Sequence, residues 1–249
     1  MKNTQVAPLL ATLISAILLT ACSGGGGGGD DGPAVTNETP ASGGSGTDNG
    51  NSDNNGAGEN SASIPASKAT AGSITAYTYV APNGKQYVLR NGGISAGGLT
   101  QLTIGGEAIT YCCGRMSYTN YGSWSAADGQ TSAVFYTGEG TAASAVPTQG
   151  SATYTGSGIR GSSVADATFN VDFAAKTIKG NVSGDSAFGS AIAMQGNIEG
   201  GGFKGSAQTG SQTGTFVGHF NGPQAEELGG IAQFADAKMD AAFGATAQK

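Results

Sequence analysis

Phe169-Asn170-Val171-Asp172-Phe173-Ala174-Ala175-Lys176-Thr177-Ile178-Lys179-Gly180-Asn181-Val182 is the stretch that decides the fold of the C-terminal part of this chain. Successive side chains of a strand point to opposite faces, so Phe169, Val171 and Phe173 share one side of an extended backbone and Asn170 and Asp172 the other. After Ala174-Ala175-Lys176 the alternation resumes with Ile178, Gly180 and Val182. Two such runs predict a hairpin with one buried face. The same period of two recurs in Ile192, Met194, Gly196 and Ile198, in Phe203, Gly205 and Ala207, and in Phe216, Gly218 and Phe220. Residues 152–156, 231–234 and 242–247 bring the expected strands to about eight, where a sheet closes into a barrel that its own side chains can fill. Glycine beside Phe at inward positions supplies the alternation of small and large groups that a narrow lumen needs.

Toward the N-terminus, Ile74-Thr75-Ala76-Tyr77-Thr78-Tyr79-Val80 and Gln86-Tyr87-Val88-Leu89 flank Asn83-Gly84, a pair that tolerates positive φ and marks a hairpin turn. Further strands are expected at residues 99–104, 108–113, 116–121 and 132–136. Gly, Thr, Ser, Val and Tyr dominate throughout, and helical patterning is nearly absent. The fold class is therefore all-β: a small N-terminal sheet in residues 64–140, then an eight-stranded antiparallel β-barrel in residues 141–249.

Ahead of these lie a different kind of sequence and a different charge. Lys2 and the apolar run of residues 7–19 read as a signal peptide, residues 1–21, ending in the lipobox Leu19-Thr20-Ala21-Cys22. The apolar run is too short for a comfortable transmembrane span. Cys22 is the expected lipidation site, and Ser23 stands where an aspartate would retain a lipoprotein at the inner membrane, which favours the outer one. Residues 22–63 are Gly/Asp/Asn-rich, without aromatics, Lys or Arg, and are expected to form a disordered leash with a root-mean-square reach of about 35 Å. The leash holds six of the 17 acidic residues, so residues 64–249 keep 11 acids against 10 Lys and Arg and are close to neutral. A nucleic-acid binder needs a basic stripe, and none is present.

Residues 150–156, the run from Phe169 to Ile178, Gly214-Thr215-Phe216-Val217-Gly218-His219-Phe220-Asn221-Gly222-Pro223-Gln224-Ala225-Glu226-Glu227-Leu228-Gly229-Gly230 and Ala242-Phe243-Gly244-Ala245 resemble the C-terminal barrel of transferrin-binding protein B. Hemophilin-like lipoproteins and factor H-binding protein share that barrel type. Asn221 departs from the pattern, since relatives often carry an aromatic residue there. The resemblance implies the same architecture of lipobox, Gly-rich leash, N-terminal handle sheet and C-terminal barrel. It further implies surface display through an outer-membrane translocator and capture of a host macromolecule, often an iron or haem carrier. A shared barrel carries the fold and not the ligand.

Cys112 and Cys113 are the only thiols besides Cys22. In an oxidising exterior an even pair suggests a disulfide, here a vicinal one in a sharp turn, with two free thiols as the other reading. Around them stand Tyr111, Arg115, Met116, Tyr118, Tyr121 and Trp124, the composition of a protein-binding hot spot and equally of a small sheet's core. His219, the single histidine, alternates with Phe216, Gly218 and Phe220 and is expected to point outward into solvent. One histidine cannot build a multi-histidine cage, and no metal site is expected. Glu226, Glu227, Asp166 and Asp172 have no companion nucleophile or base and read as solvated turn and outer-face residues. Gly156-Ser157-Gly158-Ile159-Arg160-Gly161 fits a dinucleotide pattern only on paper, because a strand follows where a phosphate-binding helix is required. The expectation is a monomeric, outer-membrane-anchored binding protein and not an enzyme, with a transferrin- or haemoglobin-type host protein as partner. A haem-binding hemophore, with haem as bound ligand, and a complement-regulator-binding immune-evasion protein are the alternatives.

Overall fold

In the computed structural model residues 63–90, 98–112 and 116–248 are described. The signal peptide, Cys22, the leash up to residue 62, Cys113 and Arg115 lie outside them. Eight strands close into a barrel in the order β10-β11-β12-β13-β14-β15-β16-β9: β9 (Ser151–Arg160), β10 (Ser163–Asp172), β11 (Thr177–Val182), β12 (Ile192–Glu199), β13 (Gly202–Thr209), β14 (Gln212–Asn221), β15 (Glu227–Phe234) and β16 (Ala241–Ala247). Every neighbouring pair is antiparallel, and β16 closes on β9 with Phe243 opposite Gly158. The barrel expected from the alternation is thus present, and Phe169, Val171, Ile178 and Val182 are all buried.

The lumen is filled through a repeated pairing of ring and glycine. Phe169 stands opposite Gly180, Phe216 opposite Gly205, Phe203 opposite Gly218 and Phe243 opposite Gly230. A Cβ on Gly180 would lie 2.5 Å from the Phe169 ring, and one on Gly205 2.8 Å from that of Phe216. The missing side chain is therefore what lets each ring lie flat over the adjacent strand. Rings then meet across the lumen, Phe169 against Phe243 at 4.9 Å and Phe203 edge-on to Phe220 at 5.1 Å between centroids. Such pairs contribute about 0.5–1.5 kcal/mol beyond the area they bury.

The N-terminal strands form two sheets. A five-stranded sheet runs β1-β8-β7-β6-β5 and a three-stranded one β2-β3-β4, with β1 (Lys68–Ala69), β2 (Ser73–Thr75), β3 (Thr78–Val80), β4 (Gln86–Val88), β5 (Thr100–Ile104), β6 (Glu107–Cys112), β7 (Thr119–Ser125) and β8 (Ser132–Gly138). Two readings need correction here. The run from Ile74 to Val80 is two strands, because Ala76 turns at φ 47° and folds β2 back on β3. The strand expected at 116–121 starts at Thr119, since the backbone of residues 116–118 is engaged by side chains from elsewhere. The Asn83-Gly84 turn stands between β3 and β4 as expected, with Gly84 at φ 85°.

Alternation along the five-stranded sheet gives it two buried faces. One packs under the small sheet, where Tyr79 stacks on Phe135 at 4.5 Å and also meets Trp124. The other lies on the barrel wall, where Tyr121, Val134 and Tyr136 pack with Ile159, Ile231 and Ala242. The Tyr121 ring covers Gly244, another position with no room for a Cβ. This sheet and the small one over it are the handle.

Candidate binding surface at the handle and barrel junction

Arg90 organises the exposed part of this junction. Its Nη2 donates to the carbonyls of Met116 at 3.1 Å and Ser117 at 2.5 Å. Its guanidinium lies 4.3 Å over the Tyr77 ring and 3.7 Å from the Glu139 carboxylate. Tyr77 donates its hydroxyl to Glu139 at 2.9 Å. Partial burial, with that carboxylate beside it, pushes the Tyr77 phenol up to about 12. The phenol therefore stays a neutral donor.

The barrel holds the same segment from beneath. Glu227 accepts the amides of Ser117 at 2.6 Å and Tyr118 at 3.0 Å. Residues 116–118 are thus gripped by their carbonyls from the handle and by their amides from the barrel. Burial pushes the Glu227 carboxyl up, while the two amides pull it back toward the charged form. Beside this grip the Tyr118 ring lies against Gly222. A shallow groove lined by Glu139, Gly140, Ala142, Ala145, Gly222 and Pro223 runs on from there. The surface offers a cation on an aromatic face, a phenol and a carboxylate, all partly exposed, which suits recognition of another protein.

Several residues singled out in the sequence lie elsewhere. Trp124 is 3% exposed in the handle core, with its indole N–H donating toward Glu107 at 3.3 Å. Tyr121 is 1% exposed against the barrel, its hydroxyl 2.7 Å from Ser157 Oγ. Met116 is buried too. Tyr121 and Trp124 are packing residues because β7 is the central strand of a sheet covered on both faces, and Met116, just ahead of β7, packs in the same cluster as Tyr121. Tyr111 is half-buried at the rim of the handle core, and Tyr118 is half-buried at the junction. Cys112 is disulfide-bonded to a partner outside the described residues.

His219 and Glu227 also differ from expectation. Both project from the outer barrel face as the alternation requires, yet both are buried, at 8% and 4% exposure. Gly140 and Gly201 lie close against the His219 ring, with Ile64 and Thr141 beside it, and His219 Nδ1 lies 2.6 Å from the Phe220 carbonyl. Burial lowers the pKa of His219. Asp166 and Asp172 are exposed, and Gly156 to Arg160 belong to β9. Among the described residues no group of three His, Cys, Asp or Glu could hold a metal ion. Tyr77, Arg90 and Glu139 carried no sequence signal, since only the fold brings their three segments together.

A closed eight-stranded barrel with a filled lumen and a handle sheet on its wall defines an all-β, handle-and-barrel class of fold. The family model for the C-lobe and N-lobe beta barrels of Tf-binding protein B matches residues 118–247, and the chain belongs to that family. Among solved structures it is similar to HpuA of Kingella denitrificans in complex with human haemoglobin, with 22% identity and a TM-score of 0.58 over 69% of this chain and 76% of that one. It is also similar to transferrin-binding protein B of Haemophilus parasuis, with 24% identity and a TM-score of 0.54 over 70% of this chain and 40% of that one. For the isotype 1 protein of serogroup B Neisseria meningitidis the values are 24%, 0.53, 69% and 39%. The chain thus spans about two fifths of the transferrin-binding proteins it resembles. Comparison with curated proteins gives no significant match.

Proposed function

We propose that this chain is a lipid-anchored outer-membrane receptor that captures a host iron- or haem-carrying protein of the transferrin or haemoglobin type and performs no catalysis. The filled lumen carries the reading. Phe169, Phe203, Phe216, Phe220 and Phe243 occupy the space where barrels of this size hold a small ligand, so recognition falls to the outer surface. The junction of Tyr77, Arg90, Tyr118 and Glu139 supplies the aromatic and guanidinium groups that dominate protein interfaces. HpuA was solved with human haemoglobin bound, and transferrin-binding protein B is named for its ligand; these supply the partner class. Anchoring through Cys22, display by an outer-membrane translocator and a vicinal Cys112–Cys113 disulfide belong to the same proposal.

Immobilised full chain is exposed in turn to iron-loaded transferrin, haemoglobin and free haem, with surface plasmon resonance as the readout. Saturable binding of one carrier protein is expected. Binding of none of them, or of free haem alone, refutes the receptor reading. Separately, Cys22→Ala should move the chain from the membrane fraction to the soluble one, and continued fractionation with lipid would refute the anchor.

A further inference from the structure

Among the described residues, four large apolar side chains are exposed, and three of them lie on or beside one strand: Leu99 at 38%, Leu102 at 41% and Ile104 at 47%. That strand is β5, the outermost of the handle's five-stranded sheet, which pairs with β6 on one side and with no described strand on the other. The barrel has no edges, and β1 at the opposite end of the sheet is two residues long. Proteins usually guard a long free edge with charge, proline or a bulge. Residues 98–106, Gly-Leu-Thr-Gln-Leu-Thr-Ile-Gly-Gly, contain no charge and no proline. Among the described residues one cation reaches this strand: Lys85 Nζ donates to the Ile104 carbonyl at 3.1 Å, at the strand's last residue.

Among the described residues, the outer edge of β5 has neither a backbone partner nor apolar cover, and another strand supplies the two together. Leu102 stands opposite Ile109 and Ile104 opposite Glu107, so both side chains continue the face that packs Ile109 and Trp124 into the handle core. The pattern is also self-complementary. If β5 meets a second β5 antiparallel, centred on Leu102, then Leu102 faces its own copy. Thr100 then faces Ile104, and Gln101 faces Thr103. Every pair is uncharged, so no like charges oppose the ladder, and Leu102 and Ile104 lose apolar surface to the second copy. At the ends of the strand, Cβ positions on Gly98 and Gly105 would meet nothing within 4 Å, which leaves room for the approaching backbone.

We propose that β5 is a self-association edge, at which two copies of this chain pair across a two-fold axis and join their handle sheets into one continuous sheet. A five-residue strand contact is smaller than the roughly 1,000 Å² expected of a lasting interface. Association is therefore reversible, strengthening with concentration and with confinement to a surface. The dimer departs from the monomer expected from sequence.

The test is sedimentation equilibrium of the full chain in density-matched detergent, with Leu102→Lys, Leu102→Glu and an equimolar mixture of the two. Wild-type chain should shift from monomer to dimer with rising concentration. Each variant alone should associate at least about tenfold more weakly, because like charges meet on the axis. The mixture should regain the dimer, since opposite charges then face each other, and that recovery shows that both variants are folded. A wild-type chain that stays monomeric overturns the proposal, as does a dimer indifferent to both substitutions or a mixture that does not recover. A monomeric wild type whose Leu102→Lys variant loses carrier binding would give the edge to the host protein instead, and also overturns it.

Discussion

The carboxylate of Glu227, on the outer wall of the barrel, accepts the amide of Ser117 at 2.6 Å, in the segment that leads into the handle's central strand. Sequence neighbours of Glu227 make it look like a turn residue. In the fold it pins one substructure to the other.

Replacing Glu227 separates charge from shape. Glu227→Gln keeps one acceptor but turns an amide N–H toward a backbone N–H, and should destabilise the fold by about 1–3 kcal/mol. Glu227→Ala leaves two partly buried amides without their carboxylate acceptor and should lie toward the upper end of that range. Urea denaturation measures both. Equal and negligible effects would show that solvent satisfies those amides.

Asp240 gives the fold a pH dependence of known sign. It is 8% exposed and accepts the Phe234 amide at 2.7 Å, yet burial pushes its carboxyl up to about 6. An unfolded aspartate titrates near 3.9. Between these values the folded chain holds a proton that the unfolded chain releases, so this contribution is fully present below about pH 4 and is lost as pH rises through about 6. Glu227 acts in the same direction. Asp240→Asn keeps an acceptor for the amide and removes the titration. The stability difference between wild type and this variant, from denaturant curves at several pH values, should change by on the order of 2 kcal/mol across that window, with wild type losing ground at neutral pH. A difference that stays flat would refute it.

Trp124 and Tyr121 are expected to report on folding rather than on binding. Trp124→Ala removes a ring from the core around Tyr79 and Phe135 and should destabilise by about 3–5 kcal/mol. Tyr121→Phe keeps the packing and loses the contact with Ser157, for about 1 kcal/mol. Calorimetry resolves the two. A Trp124→Ala chain with an unchanged thermal transition would place that ring outside the core.

Arg90 should report on binding. Arg90→Ala frees the carbonyls of Met116 and Ser117 and removes the cation from the Tyr77 ring. Hot-spot arginines lose about tenfold or more in affinity on truncation, so carrier binding by surface plasmon resonance should fall by at least that factor. Its partly exposed position implies a small thermal shift. Undiminished affinity would exclude this junction from the interface.

Sequence alone determined the barrel. Strand alternation is a local property with a period of two, and the pairing of Phe with Gly is written into the same runs, so hairpin, strand count and lumen were legible from Phe169, Gly180, Phe216 and their neighbours. Tertiary structure alone decided what happens on the outside of that barrel. Alternation places His219 and Glu227 on the outer face but is silent on whether the face meets water or the handle, and it meets the handle side. Tyr121 and Trp124 belong to one short run yet point into two different cores, because β7 lies between two layers contributed by distant segments. Arg90, Tyr77, Glu139 and Glu227 converge from four separate stretches of chain. Burial and hydrogen bonding between such stretches depend on long-range contacts, and a pattern read along the backbone does not contain them.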